Sequence, residues 1–463
     1  MKAAWILMAT VAVLSLGTIS LNYFRSGSAV ISECRVPPSQ HLLADHGSAI
    51  ELVVCSLTSA RKSSLRNSQL IENIINALPQ EVHVLVLVND PSSFSQRSGS
   101  HRVTFLEVPT DAKISIWPQD PFLVTVGDRG TRLITPKQFD RGDDDKMAKR
   151  LSNQLDLPIT ETRFLFEGGN IVCGSGAVLI GKDTIVQNML ELKETEQEIV
   201  LELESLFGMP VCIVGEGPQA VGHIDLIVTP VSQDHFMVAD CRAGAERLSS
   251  ELADNPANVI GFEKQCEDEF FGSSRIDSLM DANGETLTRP RVRGSASQVI
   301  AHSLEIADRL DQIAIQIENR GFQVTRIPAL VPPSVFTHDS ESIAVAEERS
   351  EKVRFGGASS PASADSKQAL VVSEGGDRDE SLTSMEQVVE RNFPFLTYNN
   401  VLTEIRSGQK IVYLPQYGLA ILDQQACEVW GRLGFKVVPV YGVTTSAMYG
   451  GSLRCCTKVL LRE

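Results

Sequence analysis

Apolar residues along the chain are grouped in short runs that alternate with helically spaced stretches. Residues 50–57 form a β-branched apolar run that predicts a strand, residues 67–78 have helical spacing, and residues 82–88 predict another strand. Similar strand-like runs recur at residues 103–108, 163–166, 176–180, 211–214, 236–239, 324–327, 410–415 and 437–440. The order strand, helix, strand therefore dominates the chain and predicts an α/β fold.

Three of these runs follow a helical stretch and a glycine, at Gly208, Gly321 and Gly434. The unit is strand, helix, glycine, strand and then a polar or glycine-rich loop, and it recurs about five times. Radial repetition of such units limits exposed sheet edges and would give a propeller. Because the spacing is irregular, an ordinary α/β sheet of βαβ units is the alternative.

Two stretches interrupt the repeat and are predicted to be inserts. Residues 243–297 are polar with little periodicity, and residues 341–382 are rich in Ser, Gly, Ala, Glu and Arg, a composition typical of disorder. Between them, residues 297–319 have the spacing of an amphipathic helix. We therefore predict one domain over residues 30–463, carrying both inserts.

The N-terminal residues 1–29 are predicted to be a targeting segment outside this domain. Lys2 precedes an uncharged run from residue 3 to residue 21, and Arg25 follows it. The run is long for a cleaved signal and just long enough for one membrane span, while residues 27–29 are small enough for cleavage. A cleaved signal peptide and an uncleaved anchor both remain open, with a buried helix as a third interpretation. We expect the domain to be exported, that is, secreted, periplasmic or membrane-anchored.

Charge and cysteine content narrow the classes of function. The 463 residues include 42 Lys and Arg against 58 Asp and Glu, a net charge of −16. Such a chain is a poor candidate for nucleic-acid binding and suits a cationic partner better. The nine cysteines include no CxxC pair, and zinc-ligand spacings, Walker A, GxGxxG and GxSxG motifs are missing from the sequence. An exported chain with an odd number of cysteines keeps at least one of them free.

The candidate chemical residues lie in loops after the predicted strands. His223 and Asp225 would share one face of an extended segment. Each segment taken alone is more typical of a turn or a structural role than of catalysis. In chain order, they are Ile116-Trp-Pro-Gln-Asp-Pro-Phe, Phe166-Glu-Gly-Gly-Asn-Ile, Val221-Gly-His-Ile-Asp, Leu396-Thr-Tyr-Asn-Asn, Val412-Tyr-Leu-Pro-Gln-Tyr-Gly and Gly450-Gly-Ser-Leu-Arg-Cys-Cys-Thr.

Together, and in this order, the six segments resemble the agmatine deiminase and peptidylarginine deiminase family of guanidine-modifying enzymes. The resemblance implies the pentein fold, a five-bladed α/β propeller. The family shows Trp-x-(Arg/Gln)-Asp, Glu-Gly-Gly-Asn, Gly-His-(Val/Ile)-Asp, Tyr-x-Asn, Pro-x-(Tyr/Phe)-Gly and Gly-Gly-x-(Ile/Leu)-His-Cys-x-Thr. This chain departs from the family pattern in three places. Arg454 stands where the family often has His, and Leu226 stands where the vertebrate peptidylarginine enzymes often have an acidic residue. The Gly-Pro that often follows the first motif of agmatine deiminases is also missing.

The resemblance also implies a role for each residue. Asp120 and Asp225 would grip the forked N–H groups of a guanidinium. Cys455 would attack its central carbon to form an amidino-thioether, and a bound cation would favour the thiolate. His223 would protonate the departing ammonia and then activate water, while Glu167 holds the imidazole. Trp117, Asn400 and Arg454 would contact the substrate, although Arg454 could instead point to solvent or pair with an acid. No metal or organic cofactor is implied.

The resemblance favours a hydrolase that converts arginine, within a peptide or protein, to a ureido product and ammonia. Gln119 and the predicted export favour peptidyl-arginine over agmatine or free arginine. An amidinotransferase and a non-catalytic exported pentein that binds cationic peptides are the alternatives. Release of ammonia distinguishes the hydrolase from both.

Overall fold

The computed structural model describes residues 40–57, 68–91, 94, 102–271, 279–280, 286–287, 295–333 and 393–463. The targeting segment at residues 1–29 and the insert at residues 341–382 lie outside the described residues, so both stay predictions. Within the described ranges, no helix is both long enough and apolar enough to span a membrane. Eight cysteines are described and each of them is a free thiol.

The elements alternate along the chain as an α/β fold requires. The described strands are β1 Gln40–Leu42, β2 Ile50–Leu57, β3 His83–Val88, β4 Val103–Glu107, β5 Leu123–Gly127, β6 Arg132–Thr135, β7 Ile159–Glu161, β8 Ile171–Cys173, β9 Val178–Gly181, β10 Val211–Val214, β11 Val228–Ser232, β12 His235–Asp240, β13 Leu279–Met280, β14 Thr286–Leu287, β15 Gln323–Leu330, β16 Leu396–Thr397, β17 Leu402–Arg406, β18 Gln409–Pro415, β19 Lys436–Val440 and β20 Lys458–Arg462. The described α-helices are α1 Ser68–Ala77, α2 Lys146–Leu155, α3 Lys182–Leu192, α4 Glu196–Phe207, α5 Cys241–Asp254, α6 Pro256–Phe271, α7 Ser295–Glu318, α8 Ala420–Arg432 and α9 Thr444–Met448.

Five of the sheets in the described ranges share one pattern, in which an antiparallel pair is extended by a parallel strand across one or more helices. Their strand orders are β1-β5-β6-β7, β10-β9-β8, β11-β12-β15-β16, β17-β18-β19 and β20-β2-β3-β4. The parallel pairs β2 with β3, β6 with β7, β9 with β10, β12 with β15 and β18 with β19 each enclose helices. The predicted α/β fold with a recurring strand-helix-strand unit is confirmed. Closure of the sheets into a propeller is not established by these pairings.

The glycine that ends a helix before a parallel strand is confirmed at all three predicted positions. Gly208, Gly321 and Gly434 have φ angles of 66°, 88° and 82°. Glycine adopts this left-handed conformation without the steric cost that a Cβ brings, so the chain can leave the helix and enter the next strand within a few residues.

Three sequence predictions of local structure are wrong. Residues 163–166 are not a strand, because β7 ends at Glu161 and an irregular segment follows. The segment after His223 is not extended, because Ile224–Leu226 forms a short 3-10 helix. Residues 243–271 are not irregular, because they belong to α5 and α6, and Val259 and Phe262 of α6 are buried in the core. Their polar, weakly periodic sequence reflects helices with only a narrow apolar face.

Candidate active site

Most of the predicted chemical residues meet around one cavity of about 620 Å³, and Asp225 lies buried next to it, outside the residues of its wall. Its wall includes Trp117, Asp120, Glu167, His223 and Cys455, which come from four separate segments of the chain. The indole of Trp117 packs against Gly451, where a Cβ would lie 2.4 Å from the ring. The resemblance-based grouping of these residues therefore corresponds to a real juxtaposition in the fold.

Asp120 is buried and held at both of its carboxylate oxygens. Its Oδ1 accepts the backbone N–H of Gly169 at 3.0 Å, and its Oδ2 accepts Nη1 of Arg141 at 2.8 Å. Its backbone carbonyl also accepts the N–H of Gly168 at 2.8 Å. The Glu167-Gly-Gly-Asn segment thus fixes Asp120 from the backbone, which a charged carboxylate removed from water requires.

The two glycines are needed because the elements approach too closely for a side chain. A Cβ on Gly168 would lie 2.1 Å from the carbonyl oxygen of Gln119. A Cβ on Gly169 would lie 2.4 Å from Nδ1 of His223 and 2.8 Å from Oδ1 of Asp120. The glycine pair is therefore a packing requirement of the site itself as well as a turn.

His223 lies between two acids. Its Nε2 is 2.7 Å from Oε2 of Glu167, and its Nδ1 is 3.7 Å from Oδ1 of Asp120. Burial acts to lower the pKa of His223, but the charges of Asp120 and Glu167 outweigh it and raise that pKa to about 9. The imidazole is therefore protonated at neutral pH, the form that can donate a proton.

Glu167 keeps its charge at neutral pH. Its side chain is 46% exposed, and Oε2 accepts hydrogen bonds from His223 and, at 2.7 Å, from Nη2 of Arg141. Partial burial acts to raise the pKa of Glu167, but the charges of Arg141 and His223 prevail and lower it to about 2. Glu167 is therefore the ionised partner of the imidazolium.

Asp225 is fully buried and only half satisfied. Oδ2 accepts Nη1 of Arg454 at 2.6 Å and lies 3.9 Å from Sγ of Cys455. Oδ1 has no hydrogen-bond partner among the described residues. Burial raises the pKa of this carboxyl to about 6, even though the charges of Arg454 and His223 oppose the increase. One oxygen of Asp225 is thus anchored and the other is free to accept a donor.

The two adjacent cysteines have different environments. Cys455 lines the cavity, and its backbone N–H donates to Oδ1 of Asn400 at 3.1 Å. Burial, followed by the charges of Asp225 and Asp120, raises the pKa of its thiol well above the ordinary value. Cys456 is buried in the main hydrophobic core. Only Cys455 therefore faces the predicted chemical groups.

Asn400 and Arg454 lie behind the cavity rather than in its wall. Asn400 is fully buried, and its Nδ2 donates to the backbone carbonyl of Asp225 at 3.3 Å while its Oδ1 receives the N–H of Cys455. Arg454 pairs with Asp225 and, at 2.8 Å, with Oδ1 of Asp45. Of the two possibilities left open for Arg454, the structure shows the pair with acids and no contact with the cavity.

Sequence analysis did not identify Arg141 and Asp45. Arg141 bridges Asp120 and Glu167, and Asp45 completes the ion pair of Arg454. A lone arginine before the acidic run Asp143-Asp-Asp was the only local signal for the first, and the sequence around Asp45 carries none. Both act through partners distant in the chain.

Asp120, Glu167 and His223 also lie close enough together to admit a metal ion. In the structure, however, the guanidinium of Arg141 lies on both carboxylates and His223 is held by Glu167. These contacts satisfy the negative charge without a metal, and we do not identify the three residues as metal ligands.

Comparison with known proteins agrees with the geometry. Residues 56–270 match the family model of the Porphyromonas-type peptidyl-arginine deiminase, which confirms the resemblance found in the sequence. No curated protein matches the chain. An agmatine deiminase of C. jejuni with substrate bound aligns with a TM-score of 0.54 and 12% identity, over 91% of this chain and 97% of the other.

A second solved structure, the agmatine deiminase of Enterococcus faecalis, aligns with a TM-score of 0.53 and 13% identity, over 94% of this chain and 99% of the other. At such identities the similarity establishes a shared fold, and the site residues of this chain rest on their own geometry.

Replacing Gly169 by alanine should displace His223 from its two acids. The added Cβ cannot coexist with the imidazole at 2.4 Å. We expect the pKa of His223, measured by NMR titration of the imidazole, to fall by about one unit or more as the charge–charge contacts lengthen. The matched control is Gly261→Ala in α6, where a Cβ would meet no atom within 4 Å. An unchanged pKa in a folded Gly169→Ala variant would show that the site tolerates the side chain.

Proposed function

We propose that this protein is a hydrolase that converts the guanidine group of its substrate to a ureido group and releases ammonia. The observation that carries the proposal is the placement of the Cys455 thiol beside Asp225, in the same cavity as Asp120 and the Glu167–His223 pair. The match of residues 56–270 to the peptidyl-arginine deiminase family supports the same reaction class.

The carboxylates account for recognition of a guanidinium. A planar cation with forked N–H donors is best bound by carboxylate oxygens at two of its edges. Oδ1 of Asp225 lacks a partner among the described residues, and Oδ2 of Asp120 already accepts a guanidinium N–H, that of Arg141. The guanidinium of the substrate would donate to Oδ1 of Asp225 and would compete with Arg141 for Oδ2 of Asp120.

The thiol and the imidazole account for the chemistry. Cys455 is protonated in the free enzyme, and a bound cation offsets the effect of the two carboxylates, so that the thiol loses its proton to solvent. Sγ then forms a bond to the guanidinium carbon, and the C–N bond to the departing nitrogen breaks as His223 donates its proton. Ammonia leaves, and an amidino-thioether remains on Cys455.

Water completes the cycle. The neutral His223 takes a proton from water, and the resulting hydroxide attacks the amidino carbon. The C–S bond breaks, the departing sulfur takes the hydroxyl proton of the tetrahedral intermediate so that the thiol is restored, and the neutral ureido product leaves. Glu167 holds the imidazole throughout, since its Oε2 accepts the hydrogen bond from Nε2. An amidinotransferase would use an amine in place of water, and a binding protein would release no ammonia.

We propose arginine within a peptide or protein as the substrate class. The cavity of about 620 Å³ reaches the surface along α7, where the Glu305 side chain is 76% exposed, so the flanking backbone could leave the site. Arg454 does not add to this argument because it is buried behind Asp225. In the sequence, Gln119 favoured peptidyl-arginine as the substrate. In the structure, the side-chain amide of Gln119 donates to the backbone carbonyl of Gly168 at 3.3 Å.

The substrate proposal is tested by comparing kcat/KM for agmatine, free arginine and a blocked arginine peptide, with ammonia and ureido product both measured. We expect the blocked peptide to lead. A lead of tenfold or more for agmatine, about 1.4 kcal/mol of transition-state preference, would reject peptidyl-arginine. Amidino transfer to an amine without ammonia would reject the hydrolase.

The adjacent cysteines provide a matched pair of variants. Cys455→Ser should abolish turnover because the hydroxyl is a far weaker nucleophile than a thiolate. Cys456→Ser should keep most of it, because that side chain faces the core and not the cavity. Both variants are assayed with the preferred substrate after their folding is checked by circular dichroism. An active Cys455→Ser variant would contradict the mechanism.

Two features beyond the active site, the closure of the sheets and the export of the domain, are also proposals. We propose that the five sheets of common strand order close into the five-bladed propeller of the penteins, which an experimental structure with a continuous ring of five sheets would establish. We also propose that residues 1–29 export the domain, as a cleaved signal or an anchor. Recovery of the full chain only from the cytoplasm would contradict export.

A further inference from the structure

We propose that Arg454 and Asp45 are positioning residues, which fix one oxygen of Asp225 and keep that carboxylate ionised so that its other oxygen is presented to the substrate. The proposal rests on the proposed function, since it assigns Asp225 to the guanidinium. It concerns a position where the family that the sequence resembles often has histidine and this chain has arginine.

The geometry of the ion pair leaves Arg454 little freedom. Nη1 donates to Oδ2 of Asp225 at 2.6 Å, Nη2 donates to Oδ1 of Asp45 at 2.8 Å, and Nη2 also lies 3.4 Å from the carbonyl oxygen of Ile171. The arginine side chain is 8% exposed and that of Asp225 is 0% exposed. A rigid, planar guanidinium held at two edges fixes the orientation of the carboxylate that it contacts.

Asp45 is itself anchored, which makes it a fixed support. Its Oδ2 accepts the backbone N–H of Cys173 at 2.7 Å, and its backbone carbonyl accepts Nη2 of Arg462 at 3.0 Å. Without Asp45, an N–H group of Arg454 would lose its charged partner in a buried position, which is costly. The series Asp45, Arg454, Asp225 therefore alternates in charge from the back of the site toward Cys455.

The consequence of this arrangement is the orientation of Asp225. Because Oδ2 is occupied by Arg454, Oδ1, which has no partner within the part of the chain that the structure describes, is the oxygen left for a new donor. Burial of a carboxylate oxygen without a hydrogen bond is unfavourable, and a bound guanidinium N–H would remove that cost. Arg454 thus determines which oxygen of Asp225 a bound guanidinium would meet.

Arg454 also determines the charge of Asp225. The titratable groups that face this carboxyl are Arg454, His223, Asp120, Cys455 and Lys458. Burial and Asp120 raise the pKa of Asp225, and Arg454 is the largest influence that lowers it, giving about 6. Lys458 does not take this place, because its Nζ donates to the backbone carbonyl of Gln119 at 3.2 Å and burial is the largest influence that lowers the pKa of that lysine, to about 7. Without Arg454, Asp225 would be protonated near neutral pH.

The test uses the full chain with Arg454→Gln, Arg454→Lys and Asp45→Asn. For the wild type, kcat/KM should fall below a pH of about 6, the pKa of Asp225. In Arg454→Gln we expect this acid limb to move up by one pH unit or more and KM at pH 7 to rise by about tenfold or more, with partial recovery at pH 8.5. In Arg454→Lys, which keeps a positive charge, the acid limb should move up by less than in Arg454→Gln. In Asp45→Asn, both the upward shift of the acid limb and the increase in KM should also be smaller than in Arg454→Gln.

The control variant is Arg102→Gln. Arg102 is a buried arginine that donates to the backbone carbonyls of Leu78, Pro79 and Ile75, outside the series Asp45, Arg454, Asp225. Its loss should lower the unfolding midpoint without moving the acid limb. If Arg454→Gln behaves like Arg102→Gln, or if its acid limb and KM stay within twofold of the wild type, the positioning role is rejected.

A readout independent of turnover separates this proposal from the proposed function. In the Cys455→Ser background, carboxyl NMR titration of Asp225 should give a pKa near 6, and the added Arg454→Gln change should raise it by one unit or more. A wild type that deiminates none of the substrates, together with this shift, would reject the proposed function alone. An unshifted Asp225 in a folded variant rejects the positioning role. If Arg454→Gln does not fold, Arg454→Lys and Asp45→Asn decide by the same measurement.

Discussion

Asp120 and Asp225 are buried carboxylates that face the same thiol, and most of the site follows from the need to keep their charges. Removal of an ionised carboxylate from water is unfavourable unless cations or N–H donors replace the solvent. Asp120 receives the N–H of Gly169 and a guanidinium N–H of Arg141, and Asp225 receives that of Arg454. Each acid is thus paired with an arginine of the chain itself.

A site stabilised in this way is already complementary to a guanidinium cation. Under the proposed function, the same geometry that allows Arg141 and Arg454 to satisfy the acids would bind an external guanidinium. The two arginines that pair with the acids differ in how easily they can be displaced. Arg454 is buried behind Asp225 and stays in place, whereas Arg141 lies in the cavity wall with its side chain 24% exposed and can give way. The protonation states follow: imidazolium at His223, carboxylate at Glu167 and thiol at Cys455.

The sequence predicted the features that depend on neighbouring residues. The strands β2 and β10 have the predicted bounds, and Gly434 has the conformation expected where a helix gives way to a strand. It failed where tertiary contacts override the local pattern. The segment after His223 turns into a 3-10 helix, in which the N–H of Ile224 donates to Oδ1 of Asn170. The residues next to Asp225 in the sequence do not predict that hydrogen bond, because its acceptor, Asn170, is distant in the chain.

The same distinction applies to the site. His223, Cys455 and their associated acids could be found because they stand in short segments that, in their order, resemble those of a known family. Asp45 and Arg454 are separated by most of the chain, and their pairing depends on how β1, β8 and β20 are placed together. A carboxylate that acts only by holding another charge has no sequence signal of its own, since an exposed acid before a histidine looks the same.

The loops that carry the chemical groups are linked to one another through backbone contacts, and this linkage explains why so few residues determine the geometry. Asn400 donates to the carbonyl of Asp225 and accepts the N–H of Cys455, so it fixes the distance between this carboxylate and the thiol without entering the cavity. Gly169 performs the equivalent role between Asp120 and His223, by allowing contact where a side chain would separate them. The side chains of the cavity are therefore placed by residues that lie behind its wall, and under the proposed function substitutions in these supports should alter the reaction as strongly as substitutions in the wall itself.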